Sequence, residues 1–377
     1  MTERCRACAA CLPEDTLIRF ENMPKSAQFF PDTESIKKDT GVSIILKECR
    51  CCGLVQAIGD PVPYYRDVIR ASAVSGEMKE FRVSQLKKWV NEYGLSGKKI
   101  IEIGSGYGEY LELAMLSGAD VYGLEHDQHA VKTAVNNGLK MKEGYIENNA
   151  VEIEEAPYDG FFCLNFLEHI PNPADFLQGI AKNLSDEGVG LVEVPNFDMM
   201  LDKSLYSEFI QDHLSYFTSD TLVNLLGNNG FEVVSIKEIW YKYILSAEVK
   251  KRKKTNVDAM SERLIFLKQK VHSYLESCKN RGIKVASWGA GHQALANLSL
   301  LNMADDIEYV IDSAKFKQNK LTPATHINIV APEILDKSDV GAIIIMAGGY
   351  SQEISSFLKR TNPQIERSIL GDDFNVM

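Results

Sequence analysis

The chain has 377 residues, 45% hydrophobic and 25% charged, with a formal net charge of −11 at pH 7. That length predicts two or three domains with buried cores. The acidic balance argues against a broad nucleic-acid surface, which needs clustered Lys and Arg facing phosphate. The first residues, Met1-Thr2-Glu3-Arg4-Cys5, lack an apolar signal stretch, and no apolar run approaches a membrane span. A cytoplasmic protein is therefore expected, with neither membrane nor nucleic acid among its partners.

Cys5-Arg-Ala-Cys8, Cys11 and Cys49-Arg-Cys51-Cys52-Gly53 place six of the eight cysteines in the first 52 residues. Two tight knuckles joined by a short polar segment suit a tetrahedral thiolate shell in a reducing compartment better than a disulfide framework. Cys5, Cys8, Cys49 and Cys52 are the expected ligands of a structural Zn2+. Cys11 and Cys51 are spares, either of which could replace a neighbour because spacing does not fix the knuckle register. Cys163 and Cys278 read as small buried residues.

Asp60-Pro-Val-Pro63-Tyr64-Tyr65-Arg66 reads as an extended linker, each proline biasing its predecessor away from helix. Its tyrosines either pack the linker or reach a neighbouring pocket. From Glu77 to Tyr93, Met78, Phe81, Leu86, Trp89 and Val90 approximate one helix face. A strand-like run from Lys99 to Ile103 then enters a turn with glycines at 104, 106 and 108 and leaves into a helical pattern. Glycines there let backbone N–H groups approach a ligand without Cβ interference. The next strand, Val121 to Glu125, ends in an acid spaced for a ribose diol.

Helix near Gln128 to Asn137, strand Tyr158 to Leu164, strand Gly188 to Pro195 and a last strand Val233 to Lys242 continue a βα alternation, which predicts a parallel sheet covered on both faces. Ligands of such sheets lie at the carboxyl ends of the strands, where Asn165, Glu168 and His169 emerge. His213, in Asp212-His213-Leu214-Ser215-Tyr216-Phe217, joins His169 as a candidate general base. The basic run Val249 to Lys254 reads as a boundary before a helix from Ser261 to Cys278. A second glycine turn, Trp288-Gly289-Ala-Gly291-His292-Gln293, precedes the strand Ile307 to Ile311 and its terminal Asp312, and a buried strand Ala342 to Met346 follows.

Glu102-Ile-Gly104-Ser105-Gly106-Tyr-Gly108 resembles motif I of class I S-adenosylmethionine-dependent methyltransferases. The whole order also resembles the bacterial sugar C-methyltransferase family. Its motifs here are Cys5-x-x-Cys8, Cys49-Arg-Cys-Cys52-Gly-Leu-Val-Gln56, Glu102 to Gly108, Asn165-Phe-Leu-Glu-His169-Ile-Pro, His213-Leu-Ser-Tyr216-Phe217 and Trp288-Gly-Ala-Gly291. The resemblance implies an α/β fold with a zinc-knuckle module over 1–70, a class I methyltransferase Rossmann-like core over 71–248 and a second, C-terminal Rossmann-like domain over 249–377 that holds substrate. It implies S-adenosylmethionine at Glu102, Gly104, Ser105, Gly106, Gly108, Glu125 and Asn165. The substrate would be a small molecule, a nucleotide-linked keto-deoxysugar, met by Tyr216, Gly289, Gly291, His292 and Gln293. His213 would remove the proton alpha to the ketone, with His169 and Tyr64 or Tyr65 as helpers, in a monomer or homodimer.

Two departures are visible. The family's Tyr-His-Glu-His-type run is Ile210-Gln211-Asp212-His213 here, and its Ala-Lys-Gly-Asn continuation is His292-Gln293-Ala294-Leu295. A hydroxyl or nitrogen acceptor therefore stands as an alternative to carbon. A nicotinamide oxidoreductase using the second glycine turn and a non-catalytic zinc module are the rivals from other classes.

Overall fold

The computed structural model describes residues 3–27, 30–66, 74–371 and 373–377. The chain folds as two compact units, Met1–Lys253 and Lys254–Met377. In the first, β1 (Ile18–Met23), β2 (Val42–Glu48) and β3 (Val55–Ala57) form an antiparallel ladder. The Pro-containing segment after it turns instead of extending: the Tyr65 N–H donates to the Val62 carbonyl at 3.1 Å, and Tyr64 is buried. α1 (Gly76–Glu92) starts at Ser75, whose hydroxyl caps the Met78 N–H. It buries Leu86, Trp89 and Val90, as its spacing predicts, together with Arg82.

The core then alternates as expected. β4 (Lys99–Ile103), α2 (Glu109–Met115), β5 (Asp120–Glu125), α3 (Gln128–Asn136), β6 (Met141–Glu143), β7 (Tyr158–Leu164), α4 (Pro173–Lys182) and β8 (Leu184–Pro195) follow one another. Next come α5 (Phe197–Asp202), β9 (Ser215–Tyr216), α6 (Ser219–Asn228), β10 (Phe231–Ile239) and β11 (Ile244–Lys251). The sheet order is β10-β11-β8-β7-β4-β5-β6. β8, β7, β4, β5 and β6 are mutually parallel, and β4, β5 and β7 are buried along nearly their whole length, as strands covered on both faces are. Gly190 on β8 gives way to a ring: a Cβ there would lie 2.0 Å from Phe161 Cε1.

Two expectations need correction. The sheet is not wholly parallel, because β11 inserts antiparallel between β10 and β8. The strand beginning near Val233 is also not the last: Ile244–Lys251 forms β11, with Leu245, Ala247 and Val249 buried, and runs into the basic stretch in which the two units divide. Trp240, Tyr241 and Lys242 make the intervening turn, all with positive φ (45°, 59° and 67°), a conformation that side-chain propensity does not announce.

The N-terminal ladder is completed by the core itself. β3 pairs with β9, Val55 opposite Tyr216 and Gln56 opposite Ser215. Ile44, Leu46 and Val55 share an apolar cluster with Phe197, Met199, Met200, Phe209 and Tyr216.

In the second unit, α7 (Asp258–Asn280), β12 (Lys284–Trp288), α8 (His292–Leu300), β13 (Val310–Ile311), β14 (Lys320–Leu321) and β15 (Asn328–Val330) precede β16 (Val340–Ile345), α9 (Ser351–Thr361), β17 (Glu366–Leu370) and β18 (Phe374–Val376). Its sheet runs β14-β15-β13-β12-β16-β17-β18, parallel from β15 to β17 and antiparallel at both edges. No helix among the described residues is long and apolar enough to cross a membrane.

One buried ion pair fastens α1 to the core sheet. The side chains of Arg82 and Glu193 on β8 are both 0% exposed and bonded to each other. Ser246 on β11 donates to the same carboxylate at 3.0 Å, and the Gln85 side-chain carbonyl accepts from the guanidinium at 2.7 Å. Removing one member leaves a buried unpaired charge, which costs about 3–5 kcal/mol. Urea unfolding of Arg82→Met should show a loss of about that size, and combining it with Glu193→Leu should recover most of the stability. A single variant as stable as the parent would contradict this role.

Candidate functional site

The first glycine turn lies at the carboxyl end of β4. Gly104, Gly106 and Gly108 all have positive φ (78°, 55° and 90°), and a Cβ on Gly108 would fall 2.5 Å from Leu139 Cδ1. The turn is held by the acid of the next strand: the Gly106 N–H donates to Glu125 Oε2 at 2.8 Å and the Asp127 N–H to Oε1 at 2.9 Å. Glu125 is 1% exposed. Its carboxylate orders the turn, and a carboxylate can accept more than two hydrogen bonds. Glu102 is buried at the end of β4, and Ser105 points inward, its hydroxyl donating to the Glu102 carbonyl at 3.1 Å. Asn165 follows β7 with φ 51°, and its side-chain carbonyl is buried with no hydrogen-bond donor. An orphaned acceptor beside a glycine turn, with an acid across it, fits the ammonium and hydroxyl donors of S-adenosylmethionine.

A narrow cleft between these elements is lined by Gly104, Leu124, His126, Tyr145, Ile146 and Phe166. The sequence reading passed over His126, Tyr145 and Ile146. The available signal was topological, since both stretches follow strands of the parallel sheet at the ligand-bearing end. Arg66 also lines this cleft, its guanidinium 5.1 Å from the centre of the Tyr145 ring.

Beyond Phe166 the two candidate histidines meet. The His169 and His213 rings are 4.9 Å apart and edge-to-face. His169 Nδ1 lies 2.9 Å from the Asp212 carbonyl, an acceptor only, so Nδ1 carries the proton and Nε2 the lone pair. Nε2 faces Glu168 Oε1 at 3.8 Å. Burial, reinforced by His169, holds His213 well below the ordinary imidazole pKa of 6.5, and burial likewise lowers His169. Both rings are therefore neutral at neutral pH, and each keeps an edge toward solvent. Burial raises Glu168 to about 8, so its carboxyl is protonated.

The strap bearing His213 is stitched on both sides. The Leu214 N–H donates to the Glu168 carbonyl at 2.9 Å, and the Leu214 carbonyl accepts from the Ala57 N–H at 3.0 Å. Asp212, 5% exposed, accepts from the Tyr64 hydroxyl at 2.8 Å and the Ala27 N–H at 3.2 Å. Tyr64 thus reaches the site through Asp212, whereas Tyr65 turns away to sit edge-on to Tyr145 at 6.1 Å. Tyr216 lies beneath His213 at 6.1 Å between rings, buried, with its hydroxyl bonded to the backbone of Ile210.

Cys5, Cys8, Cys49 and Cys52 converge, their sulfurs all within 4.8 Å of one another. Cys5 to Cys52 and Cys8 to Cys49 are each 3.6 Å. Cys11 and Cys51 are exposed and outside this set. These four could hold a tetrahedral metal.

In the second unit the turn is built alike. Gly289 has φ 116°, and a Cβ there would strike the Met346 carbonyl at 2.7 Å. The Ala290 N–H donates to Asp312 Oδ2 and the Ala314 N–H to Oδ1, each at 2.8 Å. Lys317 Nζ adds a salt bridge at 2.9 Å. Gly289, Gly291, His292 and Gln293 line a cleft of about 360 Å³ with Asp312 and Lys317.

Glu125→Ala removes the acceptor that orders the first turn and should weaken binding of S-adenosylmethionine or its demethylated product by roughly 1.5–3 kcal/mol, the range for hydrogen bonds to a charged group. Calorimetry with the variant checks this, and unchanged affinity would move the ribose contact elsewhere.

Residues 78–236 match the methyltransferase domain family and residues 244–367 the C-methyltransferase C-terminal domain family. The C-methyltransferase NovU of Streptomyces niveus is 22% identical over 92% of this chain and 90% of its own length. A ubiquinone biosynthesis O-methyltransferase of Photobacterium profundum is 35% identical over 25% of this chain and 43% of its own length. Among solved structures, the plantazolicin methyltransferase BpumL aligns with a TM-score of 0.38 at 17% identity, covering 47% of this chain and 86% of that one. With a methyltransferase domain over its core and a C-methyltransferase C-terminal domain after it, the chain is an S-adenosylmethionine-dependent methyltransferase.

Proposed function

We propose that the enzyme transfers a methyl group to carbon, next to the ketone of a nucleotide-linked keto-deoxysugar, with His213 as the base. The observation that carries this reading is the neutral histidine pair beside the cofactor cleft. Carbon becomes nucleophilic only as an enolate, so the chemistry needs a base and an oxyanion donor facing one substrate. Two rings 4.9 Å apart, one with a proton fixed on Nδ1, suit that division of labour. Bound S-adenosylmethionine supplies an electrophilic methyl group. Glu125 and the glycine turn would hold its ribose and methionine ends, and Asn165 would accept from it. The whole-length similarity to a C-methyltransferase and the match of residues 244–367 support carbon as acceptor. In the second unit, the cleft at Gly289, Gly291, His292 and Gln293 is the reading's place for the nucleotide part. The O-methyltransferase similarity over the core supports a second reading, in which the same base serves a sugar hydroxyl.

The reading includes a structural zinc on Cys5, Cys8, Cys49 and Cys52. A Zn–S bond of about 2.3 Å in a tetrahedron sets sulfurs about 3.8 Å apart, close to the 3.6 Å found here. Four thiolates leave no open position, so the metal would brace the fold and not the chemistry. Its mechanical reach is nevertheless toward the active site, because Cys49 and Cys52 flank the turn between β2 and β3, and β3 pairs with β9 two residues beyond His213.

His213→Asn should lower turnover by roughly two to four decades while affinity for S-adenosylmethionine stays near normal. Full turnover in that variant would reject the base. Because the His213 pKa is pushed down, it stays unprotonated as pH falls through 6.5. The acid limb of kcat/KM should therefore lie below the ordinary histidine range, and a limb at or above 6.5 would assign the base elsewhere. Elemental analysis should find about one zinc per chain. Cys49→Ser should lower both thermal stability and turnover. Protein with no zinc and full stability would reject the metal.

A further inference from the structure

The arrangement leaves a gap in the proton inventory. If His213 takes the proton from carbon, His169 is the group placed to donate to the oxygen, yet its one proton is on Nδ1 and engaged by the Asp212 carbonyl at 2.9 Å. Its free edge, Nε2, bears a lone pair and faces Glu168. Glu168 is 2% exposed, and its Oε2 has no hydrogen-bond partner among the described residues. Glu168, His169 and His213 each offer an atom within 4.8 Å of the others'.

We propose that Glu168 is a positioning residue that stores the proton His169 lacks, giving it to Nε2 as the enolate forms and taking it back as the carbonyl returns. The proposal rests on the carbon-methylation reading, in which an enolate oxygen has to be met. In the forward step the substrate C–H proton passes to the His213 lone pair, and the C–H bonding pair becomes the enolate. The Glu168 O–H proton passes to His169 Nε2, leaving a carboxylate. His169 then carries protons on both nitrogens, Nδ1–H still on the Asp212 carbonyl and Nε2–H available to the oxyanion. The new imidazolium and the new carboxylate neutralise each other in a buried place, where either charge alone would be costly. When the carbonyl re-forms, the Nε2 proton returns to Glu168 and His213 releases its own to solvent. No oxidant or other reagent enters.

The surroundings favour a resting carboxylic acid. Glu168 sits on the short turn after β7. The titratable groups about it are Cys163 on β7, His169 beside it, Asp212 and His213 on the facing strap, and Tyr243 before β11, which feels its charge. Among the described residues, no lysine or arginine forms an ion pair with it. Burial alone accounts for its rise to about 8, and burial lowers His169, so at neutral pH the proton rests on the carboxyl and not the ring. Above pH 8 the store is empty and the alkaline side of the rate profile should fall.

The test uses the full-length, metal-replete protein with glutamate labelled at the side-chain carboxyl carbon and histidine labelled at nitrogen. Without any acceptor, one carboxyl should titrate near pH 8, absent in Glu168→Gln, and the His169 Nε2 resonance should move through the same midpoint. Glu168→Asp assigns the resonance should the Gln variant not fold. A Glu168 carboxyl titrating in the ordinary range near 4.3, or a His169 resonance blind to it, would overturn the proposal. With a keto-sugar acceptor and the demethylated cofactor, Glu168→Gln should slow exchange of the alpha proton into deuterated water by roughly a hundredfold. The same variant should leave KM near normal and erase the alkaline limb. An unchanged profile would also overturn the proposal. Methylation found on oxygen, with the shared titration intact, would support the proton store while rejecting the carbon reading on which its use depends.

Discussion

Asp212 is the joint on which the candidate site depends. Its carboxylate receives the Tyr64 hydroxyl and the Ala27 N–H from the N-terminal module, and its carbonyl receives His169 Nδ1–H from the core. One residue therefore connects the cysteine-bearing module, the strap with His213 and the tautomer of His169. The pairing of β3 with β9 and the bonds of Leu214 to both Glu168 and Ala57 make the same connection through backbone. A general base is useful only when held within hydrogen-bond reach of the proton it takes, and a strap outside regular structure has no rigidity of its own. The module supplies it. The segment with six cysteines thus shares its apolar clusters and a strand pairing with the core beside the candidate site.

The two glycine turns solve one problem with different charges. In each, an acid at the end of the second strand accepts one N–H from the turn and one from two residues ahead, Gly106 and Asp127 for Glu125, Ala290 and Ala314 for Asp312. At the second turn Lys317 also forms a salt bridge with Asp312, so that cleft presents an acid paired with a lysine.

Much of this was legible in the sequence because it depends on local rules. Gly104, Gly106 and Gly108 announce a left-handed turn, and alternation of β and α patterns announces the sheet. The paired knuckles at Cys5 and Cys49 bring their sulfurs together as their spacing suggests. What escaped depends on contacts distant in sequence. Arg82 falls on the apolar face of α1 with Leu86 and Trp89, where nothing local pairs a charge, and only Glu193, 111 residues away, makes it a core residue. Asp212 stands in the sequence only as the neighbour of His213, whereas its carboxylate accepts from Tyr64, 148 residues earlier. β11 ends in Lys250 and Lys251, which read as part of the basic boundary run, and Tyr145 and Ile146 lie in a cleft that forms only when β5 and β6 pair.

In the proposed reaction the buried neutral histidine pair makes carbon, not oxygen, the nucleophile. The most direct measurement supplies a nucleotide-linked keto-deoxysugar with S-adenosylmethionine carrying a carbon-13 methyl group, and reads the product by carbon–carbon coupling in NMR. The account predicts a methyl carbon coupled directly to the carbon beside the carbonyl. A methyl resonance with no such coupling and the shift of a methyl ether would contradict it.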